Sequence, residues 1–284
     1  MKFITVSISA LFLTALCANA AEQEYNLRPY QGRITNLLSR APDNFIGLMA
    51  YEQNYLMETV SNRNYNDTTN MKRDEVKFQI SVALPIWREI FGKNSVLAGS
   101  YTQRSWFQMT NFDQSSPFRE TNYNPRLFLG WATQYNLPFG WTVQDLETGY
   151  AHESNGRDNR NDKSRSWNRL YASSSAIKGN WIVEFKPWWR IPESKKDDDN
   201  PDIKKYRGYF DLSIGYRENR HQIKVKGHYH PRHNKGGVEV SYSYALNKHI
   251  SFYTQYYGGY GESLLDYNRN THRIGLGISL NNVF

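Results

Sequence analysis

Apolar and polar residues alternate along most of the chain. Val76, Phe78, Ile80, Val82 and Leu84 are interleaved with Lys77, Gln79, Ser81 and Ala83. The same period returns at Phe210, Leu212, Ile214 and Tyr216, at Val238, Val240, Tyr242 and Tyr244, and at Ile274, Leu276, Ile278 and Leu280. A period of two puts successive side chains on opposite faces of a strand, so each segment carries one apolar and one polar face. About twelve such segments are present, near 43–56, 73–86, 95–107, 122–134, 141–154, 166–176, 181–191, 204–216, 221–230, 236–246, 250–259 and 271–284. Most exceed the roughly 9–11 residues with which a tilted strand crosses a bilayer.

The connections alternate in length. Short turns are expected at 87–94, 135–140, 177–180, 217–220 and 247–249, and longer polar loops at 57–72, 108–121, 155–165, 192–203, 231–235 and 260–270. The pattern predicts an all-β fold, a twelve-stranded antiparallel transmembrane β-barrel over residues 43–284 with its long loops outward. Phe284 ends the last strand on an aromatic residue in phase with Ile278 and Leu280. A soluble sandwich of twelve strands would bury the apolar faces against each other. Lys77, Glu184, Lys186, Lys224, Lys226, Glu239 and Arg273 recur on the opposite face, which suits a polar lumen and an oily exterior.

Composition sharpens this picture. The first twenty residues hold one charge, Lys2, an apolar run and the ending Ala18-Asn19-Ala20, the form of a secretory signal peptide cleaved before Ala21. The single cysteine, Cys17, falls inside it, so the exported chain carries no disulfide. Residues 21–42 show no strand pattern and are expected as an N-terminal periplasmic segment ahead of the barrel. Mean hydropathy is -0.74 and no later segment reaches ~18 apolar residues, which excludes helical membrane spans. Aromatic residues make up 15%, however, as the interfacial girdles of a barrel require. The formal charge of +8 is spread among acidic residues rather than clustered, so no nucleic-acid partner is expected.

Candidate chemistry lies in one stretch, GYAHESNGRDNRNDKSRSWNRLY, from Gly149 to Tyr171. On a strand, His152 and Ser154 share a face with Leu146 and Tyr150, while Asp145, Glu147 and Glu153 take the lumen side. His152 and Ser154 therefore point toward lipid at the long-loop end. The next strand brings Asn168 alongside, so nucleophile, base and orienter can line up. Asparagine orients an imidazole but adds no formal negative charge. Polar residues of an interfacial girdle are the other reading of the same positions. Loop 155–165 offers oxygens from Asp158, Asp162 and Ser164 and backbone carbonyls near Arg157, suited to calcium or simply to water. The acidic run at 197–202 reads as a solvated loop.

The motifs YAHESNGR and SRSWNRLY closely resemble the paired active-site motifs of outer-membrane phospholipase A, a calcium-dependent barrel lipase family of Gram-negative bacteria. SSPFRETNY at 115–123, GNWIVEFKPW at 179–188 and YGESLLDYN at 260–268 extend the resemblance over most of the mature chain. It implies Ser154 as nucleophile, His152 as general base and Asn168 as orienter, hydrolysing sn-1 and sn-2 acyl esters of phospholipids and lysophospholipids at the outer leaflet of the outer membrane. It also implies an active homodimer with substrate clefts along the interface. Calcium would be held by the Arg157 carbonyl, Ser164 and Ser115 from the partner subunit, and Gln103 would meet its counterpart across the interface. A non-catalytic pore or structural barrel is the rival expectation.

Overall fold

The computed structural model describes residues 27, 29–39, 47–62, 71–112, 118–158, 163–194 and 196–280. Within them run β1 (Met49–Ala50), β2 (Tyr55–Ser61), β3 (Asp74–Arg88), β4 (Ser95–Phe107), β5 (Phe118–Leu137), β6 (Trp141–Ser154) and β7 (Ser166–Lys178). They continue as β8 (Trp181–Arg190), β9 (Phe210–Glu218), β10 (His221–His230), β11 (Lys235–Ala245), β12 (Ile250–Gly259) and β13 (Thr271–Leu280). From β2 onward, each strand pairs antiparallel with the next, and β13 pairs with β2 to close the sheet. β1 and β2 both lie on β3, where Ala50 faces Val82 and Tyr55 faces Gln79. Four residues of one strand thus oppose two of the other, so β1 and β2 are a single stave interrupted by a bulge. The result is a closed twelve-stave barrel.

The alternation resolves as an inside-out protein. Ile80, Leu127 and Ile274 are each half exposed or more, whereas Lys77 is 0% and Arg273 2% exposed. Apolar side chains face outward, where hydrocarbon replaces water, and charges are buried in the lumen, where they must be paired. Glu75 meets Arg119 at 2.6 Å and Arg273 at 2.8 Å, Arg273 meets Glu262 at 2.9 Å, and Lys77 meets Glu262 at 3.3 Å.

Several features depart from expectation, among them β5, which runs Phe118–Leu137 in place of the expected segment at 122–134. The first stave runs to Ser61 instead of ending at 56, because Glu58 lies among its outward residues Leu56 and Val60 and masks the apolar face. Residues expected to start the strand at 204–216 form a short helix, Ile203–Arg207, and the strand begins only at Phe210. The loop expected at 231–235 is one tight turn, Pro231–His233, followed by Asn234 in the left-handed region. At the start of β6 the alternation slips: Gln144 and Asp145 are both buried, because the pairing with β7 shifts between Val143 and Asp145. Phe284 and the end of the last segment lie outside the described residues.

Both mouths are filled. At the short-turn end, the helix Arg33–Leu38 enters the lumen with Ile34 and Leu37 buried. Its first turn is held by Asp145, which accepts the backbone N–H groups of Arg33 at 2.8 Å and Ile34 at 3.0 Å. Gly130 makes room for it, since a Cβ there would stand 2.4 Å from the end of Ile34. At the long-loop end, residues 260–270, expected as an outward loop, fold back into the mouth. Leu264 is buried, and its N–H bonds Asn122 Oδ1 at 3.0 Å. Charged side chains between the two closures leave a lumenal cavity of about 80 Å³, lined by residues such as Arg104, Arg126, Glu153 and Lys226.

Candidate active site

The pairing of β6 with β7 sets His152 directly opposite Asn168 and Ser154 opposite Ser166. His152 and Ser154, two residues apart, leave the same face at the end of β6 that runs into loop 155–165. Leu146 and Tyr150 on this face are exposed, while Glu147 on the other is buried, so the site stands on the outer wall. Glu153 points inward, accepting Trp167 Nε1 at 3.0 Å and pairing with Arg169 at 2.6 Å. From β5, Asn124 Nδ2 donates to the His152 carbonyl oxygen at 2.7 Å and fastens the strand from the lumen side.

His152 Nδ1 lies 2.9 Å from Asn168 Oδ1. The amide orientation is fixed by its other partners: Tyr150 Oη donates to the same Oδ1, and Asn168 Nδ2 donates to Glu193 Oε1 at 2.9 Å. A carbonyl oxygen only accepts, so His152 carries its proton on Nδ1 and leaves Nε2 as an acceptor. This is the tautomer a general base needs to take a proton from a serine on its own face.

The chain turns sharply after Ser154. Gly156 has φ 64°, and a Cβ there would come within 2.9 Å of the Tyr123 ring, so both the backbone and the close approach call for glycine. Asn155 organises the loop: its N–H donates to Arg165 O at 3.0 Å, its Nδ2 donates to Lys163 O at 2.8 Å, and its Oδ1 accepts Arg165 N–H at 3.0 Å. Arg157 follows, its guanidinium 3.4 Å from Glu120 and also donating to the Arg119 carbonyl oxygen. Ser164 Oγ donates to Asp199 Oδ2 at 2.6 Å. Arg157 and Ser164 thus flank one hairpin-like loop that the acidic 197–202 run approaches. Ser115 and Asp162 lie outside the described residues.

Gln103 sits on the same wall. One cross-strand row runs Ile80, Gln103, Tyr123, Ser154 and Ser166 through β3 to β7, which places Gln103 two strands from Ser154. At ~4.8 Å per strand that is roughly 10 Å. Its amide is not isolated: Tyr101 Oη donates to Oε1 at 3.0 Å and Nε2 donates to Ser105 Oγ at 3.1 Å. An amide has two donors and two acceptor sites, so each end keeps capacity for one further bond.

Sequence reasoning gave no role to Glu193, which holds Asn168, nor to Asn155 and Glu120, which hold the loop that follows Ser154. Glu193 follows β8 and approaches Asn168 only because β8 lies beside β7. Asn155 was legible as the residue after Ser154, yet nothing in the spacing distinguishes it from a solvated loop residue.

A closed barrel with an apolar outer wall and a filled lumen, bearing a linked polar group on that wall, belongs with the lipolytic hydrolases of the outer membrane. Solved structures of that class superpose on it throughout. The outer membrane phospholipase dimer of Salmonella typhi with bound calcium is 49% identical, with TM-score 0.84 over 90% of this chain and 100% of that one. An active-site mutant of Escherichia coli outer membrane phospholipase A, with an asparagine replaced by alanine, is 47% identical with TM-score 0.85 over the same shares. The chain belongs to the phospholipase A1 family: the family profile matches residues 33–280. Phospholipase A1 of Salmonella typhimurium is 49% identical over 280 residues, spanning 96% of this chain and 95% of that protein. The protein is therefore an outer-membrane enzyme that hydrolyses phospholipid esters.

Proposed function

We propose that Ser154, His152 and Asn168 carry out this hydrolysis through an acyl-enzyme. The observation that carries the proposal is the 2.9 Å contact between His152 Nδ1 and Asn168 Oδ1 on the lipid-facing wall, which leaves Nε2 for the serine proton. Ser154 Oγ attacks the ester carbonyl carbon of a glycerophospholipid while His152 Nε2 takes its proton. Collapse of the tetrahedral intermediate breaks the ester C–O bond, and His152 returns the proton to the departing glycerol oxygen. Water then attacks the acyl-serine with His152 again as base, which releases the fatty acid and restores Ser154. Either acyl ester, sn-1 or sn-2, and that of a lysophospholipid, offers the same carbonyl.

The wall position supports substrate entry from the membrane plane. The site lies at the long-loop end, which in this architecture faces outward, so the outer leaflet supplies the substrate. For calcium, the Arg157 carbonyl and Ser164 Oγ would supply hard oxygen donors from the two ends of the loop, and the Asp199 carboxylate, which accepts Ser164 Oγ at 2.6 Å, stands beside one of them. Ser115 of the partner subunit would complete the set, and the bound ion would supply positive charge to a developing oxyanion. The calcium-bound dimer of the Salmonella typhi relative supports both points, and the asparagine variant of the Escherichia coli enzyme supports Asn168. Dimerisation through Gln103 would set a second barrel beside Ser154 and build a groove for the acyl chain.

The test is fatty-acid release from phospholipid in detergent micelles. Wild type with calcium is expected to be active, and wild type with chelator and Ser154→Ala with calcium inactive. Undiminished release by folded Ser154→Ala would refute the nucleophile, and undiminished release in chelator would refute the calcium requirement.

A further inference from the structure

Asparagine in a Ser–His–Asn constellation leaves a physical gap. When His152 takes the serine proton it becomes an imidazolium, and a neutral amide offers it a dipole rather than a charge. On a wall facing hydrocarbon, where the effective dielectric constant is low, a missing counter-charge matters more than it would in water.

We propose that Glu193 supplies that charge through Asn168, as a positioning residue for the reaction; the proposal rests on the Ser154–His152–Asn168 reading. Two contacts tie its loop to the site. Ile191 N–H donates to the Asn168 backbone oxygen at 2.8 Å, continuing the β7–β8 pairing past the end of the strand. Two residues on, Glu193 Oε1 accepts Asn168 Nδ2 at 2.9 Å. The other carboxylate oxygen lies 3.8 Å from Arg190, whose guanidinium is engaged more closely at 2.6 Å by Asp198 and donates to the Asn200 carbonyl at 3.0 Å. Glu193 is therefore steadied by Arg190 while Asp198 takes most of that cation's charge. Its side chain is 15% exposed, so water screens it little.

The hydrogen bonds all run in one sense. His152 donates to Asn168 Oδ1, and Asn168 Nδ2 donates to Glu193. A carboxylate on the amide nitrogen draws its protons outward and makes the amide oxygen a stronger acceptor, so each bond polarises the next. The same contact prevents the amide from flipping, which would present an N–H to the imidazole and favour the wrong tautomer. Glu193 thus has two effects: it locks Asn168 Oδ1 toward His152, and it places an anion one residue beyond the imidazolium.

The experiment is a double-mutant cycle on the purified full-length barrel in calcium-containing micelles, using Glu193→Gln, Asn168→Asp and the pair. Glutamine keeps the shape and an acceptor oxygen but loses the charge. Glu193→Gln is expected to lower kcat about tenfold, the scale of one hydrogen bond to a charged group, with KM within about twofold. In the Asn168→Asp background the sign should reverse. An aspartate there faces Glu193 charge to charge, so removing the glutamate charge should raise kcat. A merely structural Glu193 would give the same loss in both backgrounds. The proposal is overturned if Glu193→Gln keeps kcat within twofold of wild type, or if it lowers kcat equally with Asn168 and with Asp at that position. Ser154→Ala is the control: activity that survives it refutes the constellation itself, whereas its loss alongside a silent Glu193→Gln refutes only the role of Glu193.

Discussion

The barrel has two kinds of polar region. In the lumen, Glu75, Lys77, Arg119, Glu262 and Arg273 form a compact network in which each charge has a close partner and little contact with water. On the outer wall, His152, Asn168 and Glu193 form an open hydrogen-bonded chain on an otherwise apolar surface, half-buried, with Ser154 two residues from His152 on the same face of β6. The lumenal network has more charge and lies away from the wall that faces lipid. The wall group has less charge but a defined donor direction and access. Burial with complete pairing therefore suits structural charge here, and directional pairing at an accessible edge suits the proposed chemistry.

Substitutions should separate the two regions cleanly. The largest expected effect is on the wall: His152→Ala should lower kcat by about 10⁴-fold or more in micelle assays while unfolding in denaturant is unchanged, because members of such a constellation act as a unit. In the lumen, Glu75→Ala leaves Arg119 and Arg273 without their shared anion and should lower barrel stability by about 3–5 kcal/mol, read from the denaturant midpoint in lipid vesicles. The specific activity of the folded fraction should stay within about twofold of wild type. If Glu75→Ala abolished activity without destabilising the barrel, the separation of the two regions would be wrong.

Smaller effects test the closures. Gly130→Ala pushes against Ile34 and should cost about 1–2 kcal/mol by the same unfolding measurement. Leu37→Ser, which disrupts the same helix without a clash, should move stability in the same direction if packing of Arg33–Leu38 is what matters. The smallest effect is on acid tolerance. Burial alone would raise the Glu262 carboxyl, but Arg273 and Lys77 hold it down to about 2. A folded value below the unfolded one stabilises the barrel fully above about pH 5 and progressively less as the pH falls toward 2. Glu262→Gln should flatten that part of the stability–pH curve.

Much of this was readable without coordinates. Alternation at Val76–Leu84 and at Ile274–Leu280 identified strands with one oily face, because a period of two has no other regular backbone to serve. The recurrence of Lys77, Glu184 and Arg273 on the opposite face identified the lumen. The same parity put His152 and Ser154 on the outer wall, and the single loop 155–165 placed the strand of Asn168 next to theirs. The misplaced elements were those whose local pattern is ambiguous: Glu58 among lipid-facing residues, and the Ile203–Arg207 helix that reads equally as strand.

The sequence by itself determined which residues face lipid and which face the lumen, since alternation is a local property of the backbone. Only the tertiary structure decided what lies beside what across strands and inside the barrel. The slip of two residues in the first stave, the entry of Arg33–Leu38 and of 260–270 into the mouths, and the approach of Glu193 to Asn168 all depend on register, closure and packing. These join residues far apart in the chain, such as Glu75 with Arg273 and Ile34 with Gly130, and no period in the sequence records such distances.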